Sequence, residues 1–86
     1  MAYQLEVKRS VVKALARLPQ QIQRELSAAM DALADEPRPP SSKKLSEYEL
    51  YSVRVGVYRI IYEIRDNTLL IVVLKAGHRK DVYRKL

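Results

Sequence analysis

The amino-acid sequence predicts an α+β fold in which two helices cover one face of a small, mostly antiparallel sheet. Three observations lead to this expectation: an alternating segment near the N-terminus, two stretches with helical spacing of apolar residues, and strand-like patterns after residue 48. The 86 residues fall below the usual size of two domains, so a single domain over residues 1–86 is expected. Its sheet should have four strands, formed by the N-terminal strand and a three-stranded antiparallel meander.

The first half of the chain contains one strand and a helical hairpin. Residues 3–8 alternate strictly between apolar and polar side chains, which is typical of a half-buried strand. Ser10 is the predicted N-cap of the first helix, Pro19 separates the two helices, and Pro37 ends the second. The apolar stripes consist of Val11, Val12, Leu15 and Leu18 in the first helix and Ile22, Leu26, Met30 and Leu33 in the second. Residues 36–44, which contain three prolines, are predicted to be a loop.

The second half predicts a hairpin with a definite register. Residues 50–55 and 57–64 have strand patterns, and Gly56 favours a two-residue turn between them. Such a turn places Arg54 directly opposite Arg59 on the sheet face that points away from the helices. Like charges in this position destabilise a hairpin, whereas an anion bound between them would stabilise it.

A simpler interpretation of the two arginines is also open. Each could pair with a carboxylate, Glu63 or Glu49 being the candidates, or could merely be solvated.

The third strand of the meander, residues 69–76, is apolar on both faces and is therefore predicted to be central. With a turn at Asp66-Asn67, Ile64 should pair with Leu69. The residues that would then face away from the helices, beside the arginines, are Leu70, Val72 and Leu74. An apolar face of this kind requires a cover, either the C-terminal tail or a partner.

The amino-acid composition indicates which classes of partner the protein could bind. Sixteen Lys and Arg against ten Asp and Glu give a net charge of +6, which suits RNA, DNA or an acidic protein. The chain has no cysteine, no apolar run near 18 residues, and an N-terminus that begins directly with a strand-like segment. A cytoplasmic location is therefore expected.

The chemistry-bearing residues favour phosphate contact over metal or cofactor chemistry. The sequence has no glycine-rich phosphate loop and no metal-ligand spacing, so neither a cofactor nor a metal is expected. The single histidine, His78, is surrounded by Lys75, Arg79 and Lys80. Arginines can stabilise charge on a phosphodiester, and Tyr83 or His78 could transfer a proton or stack on a base.

Two segments resemble the RelE/ParE superfamily of bacterial and archaeal toxins, and most closely its RelE branch. They are Tyr51-Ser-Val-Arg-Val-Gly-Val-Tyr-Arg-Ile-Ile-Tyr-Glu-Ile64 and Lys75-Ala-Gly-His-Arg-Lys-Asp-Val-Tyr83. The resemblance covers nearly the whole chain and implies a RelE-like fold. It also implies the toxin of a type II toxin–antitoxin system: an mRNA interferase that cuts mRNA in the ribosomal A site by metal-independent attack of the 2′-hydroxyl, and so inhibits translation.

The resemblance assigns roles to individual residues. Arg59 matches the family's phosphate-stabilising arginine, Arg54 a basic position, and Arg79 the second catalytic arginine. Tyr83 matches the tyrosine that orients or deprotonates the nucleophile. The residues expected to meet RNA or the ribosome are Lys43, Lys44, Arg54, Lys75, Lys80 and Arg84.

One departure from the family pattern concerns Ser52, which stands where the best-studied type has a lysine. The hypothesis drawn from the sequence is that His78 compensates for this missing group in catalysis.

The resemblance further implies a RelB-like acidic antitoxin, for which the expected contact residues are Leu70, Val72 and Leu74. Two alternatives stay open: a ParE-like inhibitor of DNA gyrase without RNase activity, and a catalytically degenerate binding module. The presence of Arg59, Arg79 and Tyr83 favours the nuclease, because the gyrase branch generally lacks that set.

Overall fold

The computed structural model describes residues 2–45 and 50–78. Their backbone forms two helices and a five-stranded sheet with strand order β1-β5-β4-β3-β2. The helices are α1 (Arg9–Ala16) and α2 (Gln20–Asp35). The strands are β1 (Gln4–Val7), β2 (Ser42–Lys44), β3 (Leu50–Val55), β4 (Tyr58–Arg65) and β5 (Leu70–His78). The predicted α+β class is confirmed, and the sheet has one strand more than expected.

The start of α1 differs from the prediction. The helix begins at Arg9, with Lys8 as its N-cap and no side-chain cap, so Ser10 lies inside the helix instead of capping it. The carbonyl of Lys8 accepts hydrogen bonds from the amides of Val11 and Val12 at 2.9 and 3.1 Å. The amide of Lys8 in turn donates to Val73 at 3.2 Å, which fixes the start of α1 against β5.

The second helix follows the predicted pattern. Pro19 occupies its N-cap position, and the helix ends at Asp35, two residues before Pro37. Leu26, Met30 and Leu33 are its buried residues, at the spacing of one helical face.

Strand β2 lies in the segment that was predicted to be a loop. It pairs antiparallel with β3, with Lys43 opposite Ser52 and Lys44 opposite Tyr51. The prolines stand before the strand, where the absence of an amide proton does not interrupt a ladder. The strand was not predicted because its three residues are all polar, so the sequence shows no alternation of apolar and polar side chains there.

The β3–β4 register is the predicted one, with Val55 opposite Tyr58 and Arg54 opposite Arg59. Gly56 adopts a φ of 62°, the left-handed conformation that the tight turn needs. Strand β1 pairs parallel with β5, so the sheet is mixed, and β5 is central as predicted because β1 and β4 flank it.

The β4–β5 connection differs from the predicted two-residue turn. A 3-10 turn (Asp66–Thr68) and Leu69 at a φ of 51° lengthen it, so Ile64 pairs with Ile71 and not with Leu69. The shift is two residues, which leaves each side chain on its predicted face.

A bulge in β5 then changes the faces. Ile61 pairs with Lys75 and Tyr62 with Val73, so Leu74 has no partner across the β4–β5 ladder. One extra residue reverses the alternation beyond it. Ala76 consequently packs against the core, and Lys75 shares the opposite face with Ile61.

The core lies between the helices and one face of the sheet. Its buried residues are Val11, Leu26, Met30, Leu33, Val53, Ile60, Tyr62, Ile71 and Val73. The hydroxyl of Tyr62, a fully buried residue, donates a 2.7 Å hydrogen bond to the carbonyl of Pro37. Within the described residues, no helix is long and apolar enough to cross a membrane.

Candidate functional site

The sheet face away from the helices carries two adjacent rows of side chains that run across the strands. One row consists of Arg54, Arg59 and Gly77, and the other of Lys43, Ser52, Ile61 and Lys75. We call this surface the arginine face. Four cationic residues, Arg54, Arg59, Lys43 and Lys75, therefore share this face, and cations grouped in this way can attract a phosphate backbone.

The paired arginines have no acidic partner among the described residues. Arg54 is exposed, and its Nε donates only to the carbonyl of Gly56, at 3.4 Å. Arg59 is half-buried directly opposite. Glu63, a candidate partner from the sequence, instead forms an ion pair with Arg65 at 2.6 Å. Glu49, the other candidate, lies outside the described residues.

The charge on this side of the sheet changes along the strands. Past the lysine row, the next row contains Glu63 opposite Val72, and Val72 in turn lies opposite Glu6. Acidic residues thus border the cationic end. Arg65, on the same face beyond them, is paired with Glu63, so the excess of positive charge on this side of the sheet lies at the end that carries the two opposed arginines.

The centre of the lysine row is closed to solvent. Ser52 and Ile61 are both fully buried. A buried serine presents no polar group to a ligand on this face, and it carries no charge in place of the lysine that the resemblance implies at this position.

The two neighbouring lysines of β2 lie on different faces. Lys43 belongs to the arginine face through its pairing with Ser52, whereas Lys44 pairs with Tyr51, which packs on the helix side. Lys75 reaches the arginine face because of the bulge at Leu74. The other two residues of the predicted RNA-binding set, Lys80 and Arg84, lie outside the described residues.

His78 is not brought to the two arginines. It pairs with Tyr58 on the helix side of the sheet, and the two rings meet edge to face, with centroids 6.1 Å apart and planes at 73°. His78 therefore lies on the other face of the sheet from the two arginines, and its compensation for Ser52 stays a prediction. Arg79 and Tyr83 lie outside the described residues.

The predicted antitoxin-contact residues do not form one exposed apolar surface. Val72 is buried, while Leu70 and Leu74 are half-buried. Leu74 is the bulged residue and lines a recess beside Ser10 and Ala14 of α1.

A second polar cluster, which the sequence patterns did not indicate, lies at the opposite end of the strands. Arg38 contacts both carboxylate oxygens of Asp66, at 3.0 and 3.4 Å, and the Tyr3 hydroxyl donates to the same carboxylate at 2.6 Å. Arg38 also donates to the Tyr51 hydroxyl at 3.2 Å and lies over its ring. These contacts join the start of β1, the segment after α2 and the β4–β5 turn.

Hydrogen bonds in this cluster shift three pKa values, and those that Arg38 donates to Asp66 and then to Tyr51 raise its own pKa. The hydrogen bonds that Asp66 accepts, first from Arg38 and then from Tyr3, hold the pKa of the Asp66 carboxyl below its usual range. The hydrogen bond that Tyr3 donates to Asp66 raises the pKa of the Tyr3 hydroxyl. The residues lie far apart in sequence, so only the folded chain brings them together.

Comparison with known proteins identifies the family of this chain and finds solved structures with the same fold. Residues 5–83 match the family described as the ParE toxin of the type II toxin–antitoxin system, parDE. A RelE-like toxin protein of Escherichia coli is 29% identical, over 96% of this chain and 92% of that protein. Toxin RelG of Mycobacterium tuberculosis is 43% identical over 41% of this chain and 40% of its own length.

Solved structures of toxin–antitoxin complexes are also similar. The archaeal RelE–RelB complex from Pyrococcus horikoshii contains a chain with 33% identity and a TM-score of 0.83, covering 95% of this chain and 100% of that chain. The RelBE2 complex of Mycobacterium tuberculosis gives 28% identity and a TM-score of 0.80, with 92% and 100% covered. The protein belongs to the ParE toxin family within the RelE/ParE superfamily, and is a toxin of the type II toxin–antitoxin class.

Proposed function

We propose that this toxin is a ribosome-dependent mRNA endoribonuclease that cuts in the A site and thereby inhibits translation. The observation that carries the proposal is the opposed pair Arg54 and Arg59, neither of which has a carboxylate partner among the described residues. Two cations placed opposite each other favour a bound anion, and a phosphodiester suits their planar donors.

The proposed reaction is attack of the 2′-oxygen on the adjacent phosphorus. The O2′–P bond forms, the P–O5′ bond breaks, and the 2′-proton leaves to a base while the 5′-oxygen gains a proton. Arg59 and Arg54 stabilise the charge that develops on the phosphorane oxygens. In this proposal Arg79 adds a third cation and Tyr83 orients or deprotonates the 2′-hydroxyl, as the family resemblance implies. The reaction needs no metal.

Positioning by the ribosome would complete the site. An enzyme whose own acid–base groups are few gains most of its rate from correct placement of the reacting atoms. We therefore expect cleavage of naked RNA to be slow. Lys43 and Lys75 are the described lysines that share the arginine face, and they are proposed to contact flanking phosphates or ribosomal RNA.

The proposed partner that controls this activity is an acidic, RelB-like antitoxin in the same cytoplasmic compartment. Two observations support it: the net charge of +6, and the similarity to RelE chains that were solved in complex with RelB. An acidic chain would neutralise the arginine face, and of the predicted contact residues it would reach the half-buried Leu70 and Leu74 more readily than the buried Val72. A complex that still cleaved mRNA on ribosomes would contradict this part of the proposal.

The decisive experiment maps new 5′ ends after purified toxin is added to ribosomes programmed with mRNA. We expect cuts within A-site codons for the wild type and a loss of about 10²–10³-fold for Arg59→Ala. Arg65→Ala is the matched control, because Arg65 lies on the same strand and face about 20 Å away. A parallel gyrase supercoiling assay covers the alternative: lost supercoiling without A-site cuts would replace the nuclease with a gyrase inhibitor.

A further inference from the structure

Gly77 occupies a distinctive place on the arginine face. It lies within β5, directly opposite Arg59, in the row that begins with Arg54. The chain has only two glycines, and the other, Gly56, is explained by the β3–β4 turn.

Neither backbone conformation nor packing requires a glycine at position 77. Its φ is outside the left-handed region, in contrast to the φ of Gly56. A Cβ added at Gly77 would meet no atom of the described residues within 4 Å. A glycine inside a strand is less favourable than alanine, and it often marks a point where a ligand or another backbone approaches closely.

The missing side chain of Gly77 leaves open space at the position opposite Arg59, and we call this space, which is distinct from the cavity beside α1 that Leu74 lines, the recess. The Cβ atoms of residues directly opposite each other in a sheet lie about 4.5–5.5 Å apart, so the base of the Arg59 side chain lies next to position 77 and a nucleotide whose phosphate Arg59 holds can reach that position. Lys75 borders the recess on the same strand and face. The recess therefore has two cations beside it and bare backbone as its floor.

We propose that the nucleotide attached to the phosphate held by Arg59 lies against the backbone of β5 at Gly77, with its ribose or base in this recess. The inference rests on the proposed nuclease function and adds a contact to it. A side chain at position 77 would displace the nucleotide while the arginines still hold the phosphate, so cleavage would suffer more than binding to the ribosome.

The test compares Gly77→Ala, Gly77→Ser and Gly77→Val with the wild type on programmed ribosomes. We expect cleavage to fall in order of side-chain size, by about tenfold for alanine and about 100-fold for valine, the scale of loss for a reacting group displaced by about 1 Å. Co-sedimentation with ribosomes should stay at the wild-type level. The melting temperature of Gly77→Ala should equal or exceed that of the wild type, whereas Gly56→Ala, strained at its positive φ, should melt lower.

Several outcomes would overturn the inference. Wild-type cleavage by all three variants would show that position 77 faces no substrate. A fall in melting temperature parallel to the fall in activity would assign Gly77 to packing, and loss of antitoxin affinity with normal cleavage would assign the recess to the antitoxin. Absence of A-site cuts by the wild type itself would refute the proposed function first, and this contact with it.

Discussion

Arg54 and Arg59 lie directly opposite each other across the β3–β4 ladder, and no described carboxylate pairs with either. Like charges in this arrangement reduce the stability of the hairpin. The two opposed arginines therefore lower the stability of the hairpin and favour the binding of an anion. Substitution of one arginine should change these two properties in opposite directions.

Replacing one arginine should raise stability and lower activity together. We expect Arg54→Gln to increase the free energy of unfolding by about 0.2–1 kcal/mol, because it removes the cross-strand repulsion. High salt should abolish that gain by screening the exposed charge. Urea unfolding at low and high salt measures the effect, and A-site cleavage should fall at least tenfold. Arg65→Gln, which loses an ion pair with Glu63, should show no such gain; an equal gain would refute the explanation.

Lys43 and Lys44 are neighbours in sequence on opposite faces of the sheet, so they form a matched pair. We expect Lys43→Gln to reduce the salt dependence of binding to a single-stranded RNA by about 0.7 in the slope of log K against log salt, the value for one lost phosphate contact. Lys44→Gln should leave the slope unchanged. Equal effects of the two substitutions would show that general charge, and not the arginine face, attracts the RNA.

His78→Gln should leave the rate of A-site cleavage within about twofold of the wild type, since the loss of a true general acid or base costs about 10²–10⁴-fold. The reason is that His78 packs against Tyr58 on the helix side of the sheet. Arg79→Ala, assayed beside it, should abolish cleavage if the family resemblance holds. A more than tenfold lower cleavage rate for His78→Gln, at an unchanged melting temperature, would show that His78 takes part in catalysis.

Tyr62→Phe should destabilise the fold. The hydroxyl of the fully buried Tyr62 donates to the carbonyl of Pro37, so its removal takes away one hydrogen bond of a part-buried acceptor, at a cost of about 1 kcal/mol. Thermal or urea unfolding measures the loss. Tyr3→Phe removes a more exposed hydroxyl and should cost less. The reverse order of the two variants would contradict the assignment of Tyr62 to the core.

The Arg38–Asp66–Tyr3 cluster should make stability depend on pH at both extremes. The folded-state pKa of Asp66 is lowered, so its stabilising effect is present above the unfolded value near 3.8 and is lost as pH falls through the folded value. The pKa of Tyr3 is raised above 10.0, so its effect is present below that value and is lost as pH rises through the folded value.

Asp66→Asn should remove both dependences in unfolding experiments from pH 2 to pH 5 and above pH 10. Asp31→Asn, at an exposed carboxylate of α2, should retain them. Identical pH profiles for the wild type and Asp66→Asn would show that the cluster does not stabilise the fold.

Much of the fold could be predicted because local signals agreed with it. Gly56 and the alternation on both sides fixed the β3–β4 register, and with it the opposition of Arg54 and Arg59. The prolines placed the ends of α2 correctly. In each case the signal is a property of a few adjacent residues.

The features that were missed depend on contacts between distant segments or on unusual backbone. Leu69 in the left-handed conformation lengthens the β4–β5 turn, although nothing in a leucine favours that geometry. The bulge at Leu74, which brings Lys75 to the arginine face and turns His78 away, has no signature in an apolar run. The β3–β4 register was therefore predicted correctly because its signals are local, whereas the bulge in β5 and the extension of that strand to His78 were not predicted.

The parallel pairing of β1 with β5 has a consequence for the synthesis of this toxin. Gln4 has Leu70 as its partner, so β1 can join the sheet only after β5 has been made. Closing so long a stretch of chain is the slow kind of folding step. On the proposed function, we expect the nascent polypeptide to be harmless to the ribosome that translates it until β5 has been made. An antitoxin already present in the cell would then meet the newly closed sheet at the moment when the toxin first becomes competent.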